Sequence, residues 1–545
     1  IVEIDYKHYK NQILTGFQVV YEMIIKNKAE LLNSKVLEKF KNLKVRVLFR
    51  DTNQYATILM HMQHPQMLMD MLDREKALEN MWVFPYADKS IIDSETRDMI
   101  FNDIPVFFNI TDSPHIEGNK SMMIENYYDY TSYDYLLTTL NEVSESELQH
   151  QLSVIQLHFG DFSSVRKKEL SALDSISEPF SKLSFEWNEQ VALDEIYEIA
   201  DDIIEKAIDL DHVSWIIPSN QSDDDIWSLT PSSDDFYNGT SGILLFYYHL
   251  HNQTGIKKYQ EFYQKLLAQC NPELVFDYKL GLSGYPAYLH AFSYMNDFKD
   301  DNAKILKLII QYCSKIEEIL NDKSDSIIEL DYLNGITSLI GSLIRLYEHT
   351  KLNRVLELAI KCSDFLVNKN VPSKDPSFGH GEFGKIVMIK RLFKLTNIKK
   401  YNDFANSLLS NIDIPEILQS SKSLHWCTGC LGIEMTKTEV IDQVIQEHKL
   451  FIDNKNRLEN KVLMDNDSIC HGNMSLAEYF LMSSETFEKG RSIGMAILKL
   501  KNSNREYKLM HNRNFEDISL FTGTSGIGYQ LLRLINPNEV PNILS

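Results

Sequence analysis

Two cysteines and a histidine, found in two short stretches, are the residues best suited to chemistry. Cys427 lies two residues before Gly429, and Cys470 and His471 lie directly before Gly472. Thiolate and imidazole groups are common zinc ligands, and a site with three protein ligands keeps a fourth position open, which is typical of catalytic zinc. These residue types therefore predict one catalytic Zn²⁺ held by Cys427, Cys470 and His471.

Cys430 follows Cys427 by three residues and leaves two interpretations open. As a fourth ligand it would close the coordination shell and make the zinc site structural. As a small apolar side chain it would pack inside the protein, where free cysteines are common. We favour packing, because related stretches of the chain have Thr240, Leu282 and Ile336 at this position.

His380 and Asp331 are two further residues that could take part in a reaction. His380 lies between two glycines, so its own loop offers nothing for it to pack against, and we expect it to face a pocket. Asp331 precedes the third of the repeated loops described below, and its residue type and position alone favour a cap of the following helix.

The composition limits the class of protein. The chain has 545 residues, which predicts two domains, and it is 43% hydrophobic and 24% charged. Its formal net charge of -22 argues against a nucleic-acid-binding surface, which needs a basic face. We find no transmembrane segment and no signal peptide, and six cysteines in this context indicate a reducing cytoplasm. Because the first residue is Ile1, we expect a fragment.

A glycine-centred stretch recurs through the last two thirds of the chain. Seven copies lie about 42 to 54 residues apart, and most precede an apolar run with helical spacing. Each copy is interpreted as a loop in which the first glycine permits a sharp bend and the second lets the next helix start close to its neighbour. A second helix is expected before the next copy. Seven such pairs closed into a ring form an α/α toroid, whose loops gather distant residues at one end. The copies begin at Asn238, Leu280, Asn334, His380, Thr428, His471 and Thr522.

The first third of the chain mixes helical and strand-like patterns. Residues 44–50 alternate mostly between basic and apolar side chains, which predicts a strand with Arg46 and Arg50 on one face. The two arginines could form a solvated basic surface, or they could hold a phosphate group with the Thr52 hydroxyl nearby.

Several motifs of this first region resemble the dehydratase domain of class II lanthipeptide synthetases (LanM), which is similar to lipid kinases. They are the stretches 46–55, 73–75 and 103–107. The resemblance implies that the full-length protein phosphorylates Ser and Thr of a precursor peptide with ATP and Mg²⁺ and then eliminates the phosphate. It assigns the elimination to Arg46 and Thr52. The family's ATP site has no counterpart in residues 1–45, so we expect only the end of the dehydratase here.

The region from residue 186 to 545 resembles the LanC-like lanthionine cyclases that form the C-terminal domain of LanM proteins. The resemblance implies that Cys427, Cys470 and His471 bind zinc and that Asp331 and His380 are the acid and base. The matching motifs are Asp331-Tyr-Leu-Asn-Gly335, Gly379-His380-Gly381, Trp426-Cys427-Thr428-Gly429, Cys470-His471-Gly472 and Thr522-Gly523-Thr-Ser-Gly526.

These observations predict a mainly α protein with two domains. Residues 1–185 are expected to be an α+β part of a lipid-kinase-like dehydratase, and residues 186–545 a seven-repeat α/α toroid. The implied activity is that of a lanthionine synthetase, in which zinc-bound peptide thiolates add to dehydroalanine or dehydrobutyrine and form thioether rings. The expected partners are a ribosomally made precursor peptide, with leader and core, and an export and protease transporter.

Two other functions remain open at this point. A LanC-like protein could bind zinc and a thiol such as glutathione without making rings. A helical toroid could also serve as a non-catalytic scaffold, with its cysteines in structural roles.

Overall fold

Helices make up most of the part of the chain that the computed structural model describes, as the sequence predicts. Contacts divide the chain into two units, residues 1–159 and 160–545. Residues 160–184 lie outside the described ranges, and the domain boundary at residue 185 stays a prediction. The described residues are 9–83, 89–119, 122–145, 147–148, 151–152, 155, 185–209, 212–220, 227–274, 279–295, 302–322, 328–370, 375–412, 424–440, 463–464, 466–504, 507–509 and 517–545.

The first unit combines helices with a four-stranded antiparallel sheet. The strands lie in the order β1-β2-β3-β4, with Lys44 opposite Ile110 and Phe108 opposite Glu117. Its helices are α1 (Lys10–Asn33), α2 (Thr52–Met62), α3 (Met71–Glu79), α4 (Ser90–Met99) and α5 (Ser132–Glu142), with 3₁₀ turns at Leu37–Phe40 and Asn80–Val83. Its strands are β1 (Lys44–Val47), β2 (Phe107–Ile110), β3 (Ile116–Glu117) and β4 (Met123–Ile124).

The second unit is built from helices, with two small hairpins near its start. The hairpins pair β5 (Ile208–Asp209) with β6 (Val213–Ser214) and β7 (Ile216–Asn220) with β8 (Trp227–Pro231). A 3₁₀ turn spans Lys437–Glu439. The helices are α6 (Glu189–Glu205), α7 (Thr240–Thr254), α8 (Lys257–Ala268), α9 (Ala287–Ser293), α10 (Asn302–Asp322), α11 (Ile336–Thr350), α12 (Asn353–Lys369), α13 (Glu382–Thr396), α14 (Lys399–Ser410), α15 (Cys430–Thr436), α16 (Asn473–Leu481), α17 (Phe487–Asn504) and α18 (Thr524–Ile535).

Seven of these helices form the inner wall of a closed ring. The inner helices α7, α9, α11, α13, α15, α16 and α18 follow the seven glycine-centred loops, and α18 packs against α7. Outer helices pack behind them, and α6, which precedes the first repeat, packs against α18 of the last. The predicted α/α toroid is therefore confirmed. The outer partner expected for α15 would fall within residues 441–462, which lie outside the described ranges.

Main-chain hydrogen bonds join the seven loops to one another around the ring. Each loop donates a backbone N–H to a carbonyl of the next loop, and the seventh loop donates to the first. The seven bonds run from Phe236 N to Leu282 O, Gly281 N to Asn334 O, Tyr332 N to Gly379 O, Gly379 N to Cys427 O, Trp426 N to Cys470 O, Cys470 N to Phe521 O, and Phe521 N to Tyr237 O. Loops far apart in sequence are thus fixed side by side.

Close backbone approach explains the glycines of these loops better than the sharp bend that we expected. Gly472, which immediately precedes α16, has φ -134°, a value open to any residue. A Cβ at Gly472 would lie only 2.5 Å from Asn466 O, because the loop folds back on itself there. The second repeat differs, since α9 begins after Pro286 rather than after a glycine.

The segment 540–545 lies against the inner helices and is largely buried. Ile543 and Leu544 are 2% and 1% exposed. Five of its carbonyls accept hydrogen bonds from side chains of the toroid, which satisfies backbone groups that burial would otherwise leave unpaired. The donors are Arg533 to Val540 O, Tyr529 to Pro541 O, Tyr294 to Ile543 O, Trp426 to Leu544 O and Arg345 to Ser545 O.

No helix in the described part of the chain has both the length and the apolar character needed to cross a membrane.

Candidate active site

The fifth and sixth loops of the ring bring the two predicted zinc motifs together. Cys427 and Cys470 each lie two residues before the glycine that precedes an inner helix, and the Trp426 N–H donates to Cys470 O at 2.8 Å. Because the two loops are neighbours with the same geometry, their cysteines meet although 43 positions separate them.

Cys427, Cys470 and His471 form a compact cluster of potential metal ligands. Their ligand atoms all lie within 4.8 Å of one another. Nε2 of His471 is 3.2 Å from Cys427 Sγ and 3.8 Å from Cys470 Sγ. Both cysteines are buried, at 1% and 0% exposure, whereas His471 is partly exposed. Two thiols and one imidazole with these spacings fit zinc, which takes such ligands in a tetrahedral arrangement.

The electrostatics of the cluster favour a thiolate at Cys427. A hydrogen bond with the Cys470 thiol and the neighbouring His471 hold the pKa of Cys427 well below its usual value. Burial and the Cys427 thiolate raise the pKa of Cys470. A thiolate at this position is the form in which cysteine binds metal ions.

Cys430 and His425 lie beside the cluster without belonging to it. Among the described residues, the group able to hold a metal does not include Cys430, which begins α15 and is fully buried in the core. This placement supports our interpretation of Cys430 as a packing residue. The His425 ring is 4.7 Å from that of His471, and burial lowers the pKa of His425 to about 4. His425 is therefore a neutral wall of the site.

Asp331 and His380 form a hydrogen-bonded pair on the neighbouring loops. Nδ1 of His380 is 3.1 Å from Asp331 Oδ2, and the two side chains are 40% and 15% exposed. Asp331 Oδ1 also accepts the Asn334 N–H at 2.9 Å, so the carboxylate caps its own turn and contacts the histidine at once. The hydrogen bond that Asp331 accepts from the ring raises the pKa of His380, which favours the protonated ring.

The loop of His380 adjoins the metal-ligand cluster. The Gly379 N–H donates to Cys427 O at 2.8 Å. A Cβ at Gly379 would lie 2.8 Å from Cys427 Cβ, so glycine allows this contact. The predicted acid–base pair and the predicted ligands therefore occupy consecutive loops of one ring.

The first unit corrects one prediction about its arginines. Strand β1 ends at Val47, so Arg46 and Arg50 do not share a strand face. Arg50 is buried and pairs with Glu95 at 3.2 Å, and it donates to Met81 O at 3.3 Å. Burial of a charge requires such a partner, and this one makes Arg50 part of the core rather than a phosphate ligand.

The other two residues of the predicted phosphate-elimination site stay exposed. Arg46 lies on β1 and Thr52 begins α2, with Asp51 as the residue that caps this helix. Both side chains are open to solvent, and their roles stay predictions.

Sequence reasoning did not single out Tyr237, which contacts the cluster directly. Its hydroxyl donates to Cys470 Sγ at 3.0 Å. Burial and the Cys470 sulfur raise the pKa of Tyr237, so the phenol keeps its proton. Alignment of the repeats on their glycines would have indicated it, because Tyr237, Cys427 and Cys470 all lie two residues before that glycine.

A family comparison now bears on the second unit. The model for lanthionine synthetase C-like proteins matches residues 230–545, more than half of the chain. The chain belongs to this family. The matched residues of the LanC-like region include all seven loops, the cysteine cluster and the Asp331–His380 pair. The resemblance inferred from the motifs is confirmed.

Other comparisons extend to the first unit. A domain of unknown function, DUF4135, matches residues 2–109. The chain is 23% identical to the lacticin 481/lactococcin biosynthesis protein LcnDR2 of Lactococcus lactis subsp. lactis over 576 aligned positions, covering 97% of this chain and 59% of that protein. The chain thus spans less than two thirds of the length of this relative.

Two solved structures that align with the chain have lower sequence identity to it than this relative has. Nisin cyclase is 18% identical and aligns over 56% of this chain and 89% of its own, with a TM-score of 0.41. An unsaturated glucuronyl hydrolase specific for heparin is 12% identical over 59% of this chain and 97% of its own, with a TM-score of 0.32.

Proposed function

We propose that the LanC-like domain of this chain is a zinc-dependent cyclase of lanthipeptide biosynthesis. Its substrate would be a precursor peptide that contains cysteine and dehydroalanine or dehydrobutyrine. The observation that carries the proposal is the cluster of Cys427, Cys470 and His471, with the His380–Asp331 pair on the next loops. Membership of the lanthionine synthetase C-like family supports the same reaction.

Cys427, Cys470 and His471 would hold the metal ion and leave one position for the substrate. When bound, zinc supplies a site at which a substrate thiol is a thiolate at neutral pH. Both cysteines are buried whereas His471 is partly exposed, so the substrate would approach from the side of His471. The substrate sulfur then forms a bond to the β-carbon of the dehydrated residue.

His380 would supply the proton that completes the addition. As the S–C bond forms, negative charge develops on the carbonyl group next to the α-carbon. A protonated His380 stabilises this charge and donates its proton to the α-carbon, while the proton that the substrate thiol lost passes to solvent, from which His380 regains one. Asp331 orients the ring through Nδ1 and stabilises the imidazolium, which leaves Nε2 as the atom that donates.

The first unit would contribute to the dehydration that precedes cyclisation. We propose Arg46 as a ligand of the leaving phosphate and Thr52 as its partner in proton transfer. Phosphorylation of the precursor with ATP and Mg²⁺ would be an activity of the whole protein.

Substitution of one ligand tests the proposal, with a neighbouring cysteine as control. Cys427→Ala should lose both zinc, measured as metal per chain, and ring closure, whereas Cys430→Ala should keep both. Ring closure is followed on a synthetic peptide with one cysteine and one dehydroalanine, by the loss of alkylatable thiol in mass spectrometry. Rings formed by Cys427→Ala faster than without enzyme would refute the mechanism, and zinc loss from Cys430→Ala would assign Cys430 to the metal shell.

A second substitution separates catalysis from metal binding. His380→Ala should keep its zinc and close rings about 10²–10⁴-fold more slowly, the usual contribution of a general acid. Loss of zinc from His380→Ala would demote the residue to structural support. A protein that binds zinc and thiols but closes no rings would instead be a thiol-binding member of the family.

A further inference from the structure

The two cysteines of the cluster have different hydrogen-bond surroundings. Nε2 of His471 lies closer to Cys427, at 3.2 Å, and this nitrogen would turn to the metal when an ion is held. Cys470 accepts a hydrogen bond from the Tyr237 hydroxyl at 3.0 Å, and Tyr237 is not one of the three predicted ligands. The Tyr237 bond is therefore compatible with a bound ion.

We propose that Tyr237 is a positioning residue that weakens the Cys470 thiolate as a nucleophile while a metal ion is held. This inference rests on the metal site proposed above. Outer-shell donors to metal ligands change the electron density of the ligand atom and fix its orientation. The phenolic O–H withdraws charge from Cys470 Sγ, whereas Cys427 Sγ receives no such donor from Tyr237.

Several contacts hold the Tyr237 hydroxyl in place. Its ring stacks on that of Phe521, with centroids 4.8 Å apart and planes 13° from parallel. Tyr237 O accepts the Phe521 N–H at 3.2 Å, and Phe521 O accepts the Cys470 N–H at 3.0 Å. The side chain and the backbone of Tyr237 are thus both tied, through Phe521, to the residue that its hydroxyl contacts.

The chemical consequence is that the substrate thiolate and the Cys470 thiolate differ in their reactivity as nucleophiles. During ring closure, the dehydrated residue would face the substrate thiolate and two protein thiolates. If Cys470 Sγ attacked, its bond to the β-carbon would attach the peptide to the protein, with a proton passing to the α-carbon. A hydrogen bond that lowers the charge on Cys470 slows this side reaction, so that Cys470 is a weaker nucleophile than the substrate thiolate.

Cobalt substitution tests the hydrogen bond directly. Tyr237→Phe keeps the stacked ring and removes only the hydroxyl. In Co²⁺-loaded protein, the thiolate-to-cobalt charge-transfer band should move to longer wavelength, since an electron-rich sulfur is more easily oxidised. Tyr332→Phe is the matched control, because Tyr332 is a buried tyrosine of the same loop ring whose hydroxyl donates to no cysteine sulfur among the described residues.

A second variant covers the case in which Tyr237→Phe fails to fold. Incorporation of 3-fluorotyrosine at position 237 makes the phenol a stronger donor and should shift the band to shorter wavelength. Identical cobalt spectra in wild type and in whichever of these two variants folds would overturn the role of Tyr237. A wild type that gives no cobalt–thiolate band would overturn the metal site itself, so the two failures are distinguishable.

Alkylation tests the proposed protection of Cys470. The reagent is the dehydrated peptide itself: metal-loaded Tyr237→Phe should form several-fold more peptide adduct at Cys470 than wild type or Tyr332→Phe, as measured by peptide mass mapping. An unchanged amount of adduct would contradict the protective role.

Discussion

At the scale of single residues, the site depends on pairs that meet across long stretches of sequence. Asp331 and His380 are 49 positions apart, and Tyr237 and Cys470 are 233 apart. In each pair the polar partner changes what the other can do. Asp331 favours the protonated form of His380, and Tyr237 places a hydrogen-bond donor on the Cys470 sulfur. The residue type of either partner alone would indicate little about its role in the site.

The pH dependence of ring closure tests the first of these pairs. If protonated His380 is the acid, activity falls as pH rises through the pKa of His380. Asp331→Asn removes the partner that raises this pKa, so the fall should begin at lower pH than in wild type. Measured rates on the dehydrated peptide across pH give this comparison.

An exposed surface pair provides the control for that measurement. Asp201 pairs with Lys258 on the outer helices, with both side chains about half exposed. Asp201→Asn should therefore leave the pH profile of ring closure unchanged. A profile of Asp331→Asn that coincides with wild type would show that this carboxylate does not govern the acid.

At the scale of elements, the loop before an inner helix keeps a similar backbone geometry from one repeat to the next. Gly523 precedes α18 as Gly472 precedes α16, and each lies against the backbone of its own loop. The loops present residues of different chemistry at the same position, from Tyr237 to Cys427 and Phe521. One backbone geometry therefore supports both core packing and the site.

Substitution of a loop glycine tests whether the position before an inner helix requires a residue without a Cβ. Gly523→Ala places a methyl group against Asp517 and Ser519 backbone atoms, which cannot move away as a flexible side chain can. We expect a loss of about 1–3 kcal/mol in the free energy of unfolding, the usual cost of overpacking. Chemical denaturation followed by circular dichroism measures it.

Gly16→Ala adds the same methyl group where no atom lies within 4 Å. It should leave the denaturant concentration at which the second unit unfolds unchanged from wild type. Equal stability of Gly523→Ala and wild type would mean that the loop has room for a side chain.

At the scale of the whole toroid, closure of the ring creates an interior that the segment 540–545 helps to fill. Trp426, the neighbour of Cys427, donates its indole N–H to Leu544 O at 2.6 Å. The segment therefore supports the loop that carries a predicted metal ligand from the inner side of the ring.

Removal of residues 541–545 tests this support. The deletion leaves several side chains of the inner wall without their acceptors and exposes the site of Ile543 and Leu544, each of which contributes about 1.5–3 kcal/mol by burial. We expect a lower melting temperature and less zinc bound per chain. Trp426→Phe, which removes one donor and keeps an aromatic ring, should show a smaller loss of both. Full zinc binding by the shortened chain would contradict a supporting role of the segment.

The sequence by itself determined the local units of this protein. Spacing of apolar residues indicated the inner helices, since that pattern reflects a period within one helix. The recurring glycines indicated seven loops, and the thiol and imidazole groups of Cys427, Cys470 and His471 predicted zinc as the ion that they would hold. Those inferences depend on residue type and short spacing, which are visible without a fold.

Only the tertiary structure decided which loops are neighbours and which side chains meet. Strand β1 ends before Arg50, and the buried carboxylate of Glu95 binds that arginine, a contact that alternation along a strand cannot show. Tyr237 reaches Cys470 because the last loop of the ring bonds to the first. Closure of the toroid brings together residues that lie far apart in the sequence. A local sequence pattern covers too few residues to show such a contact.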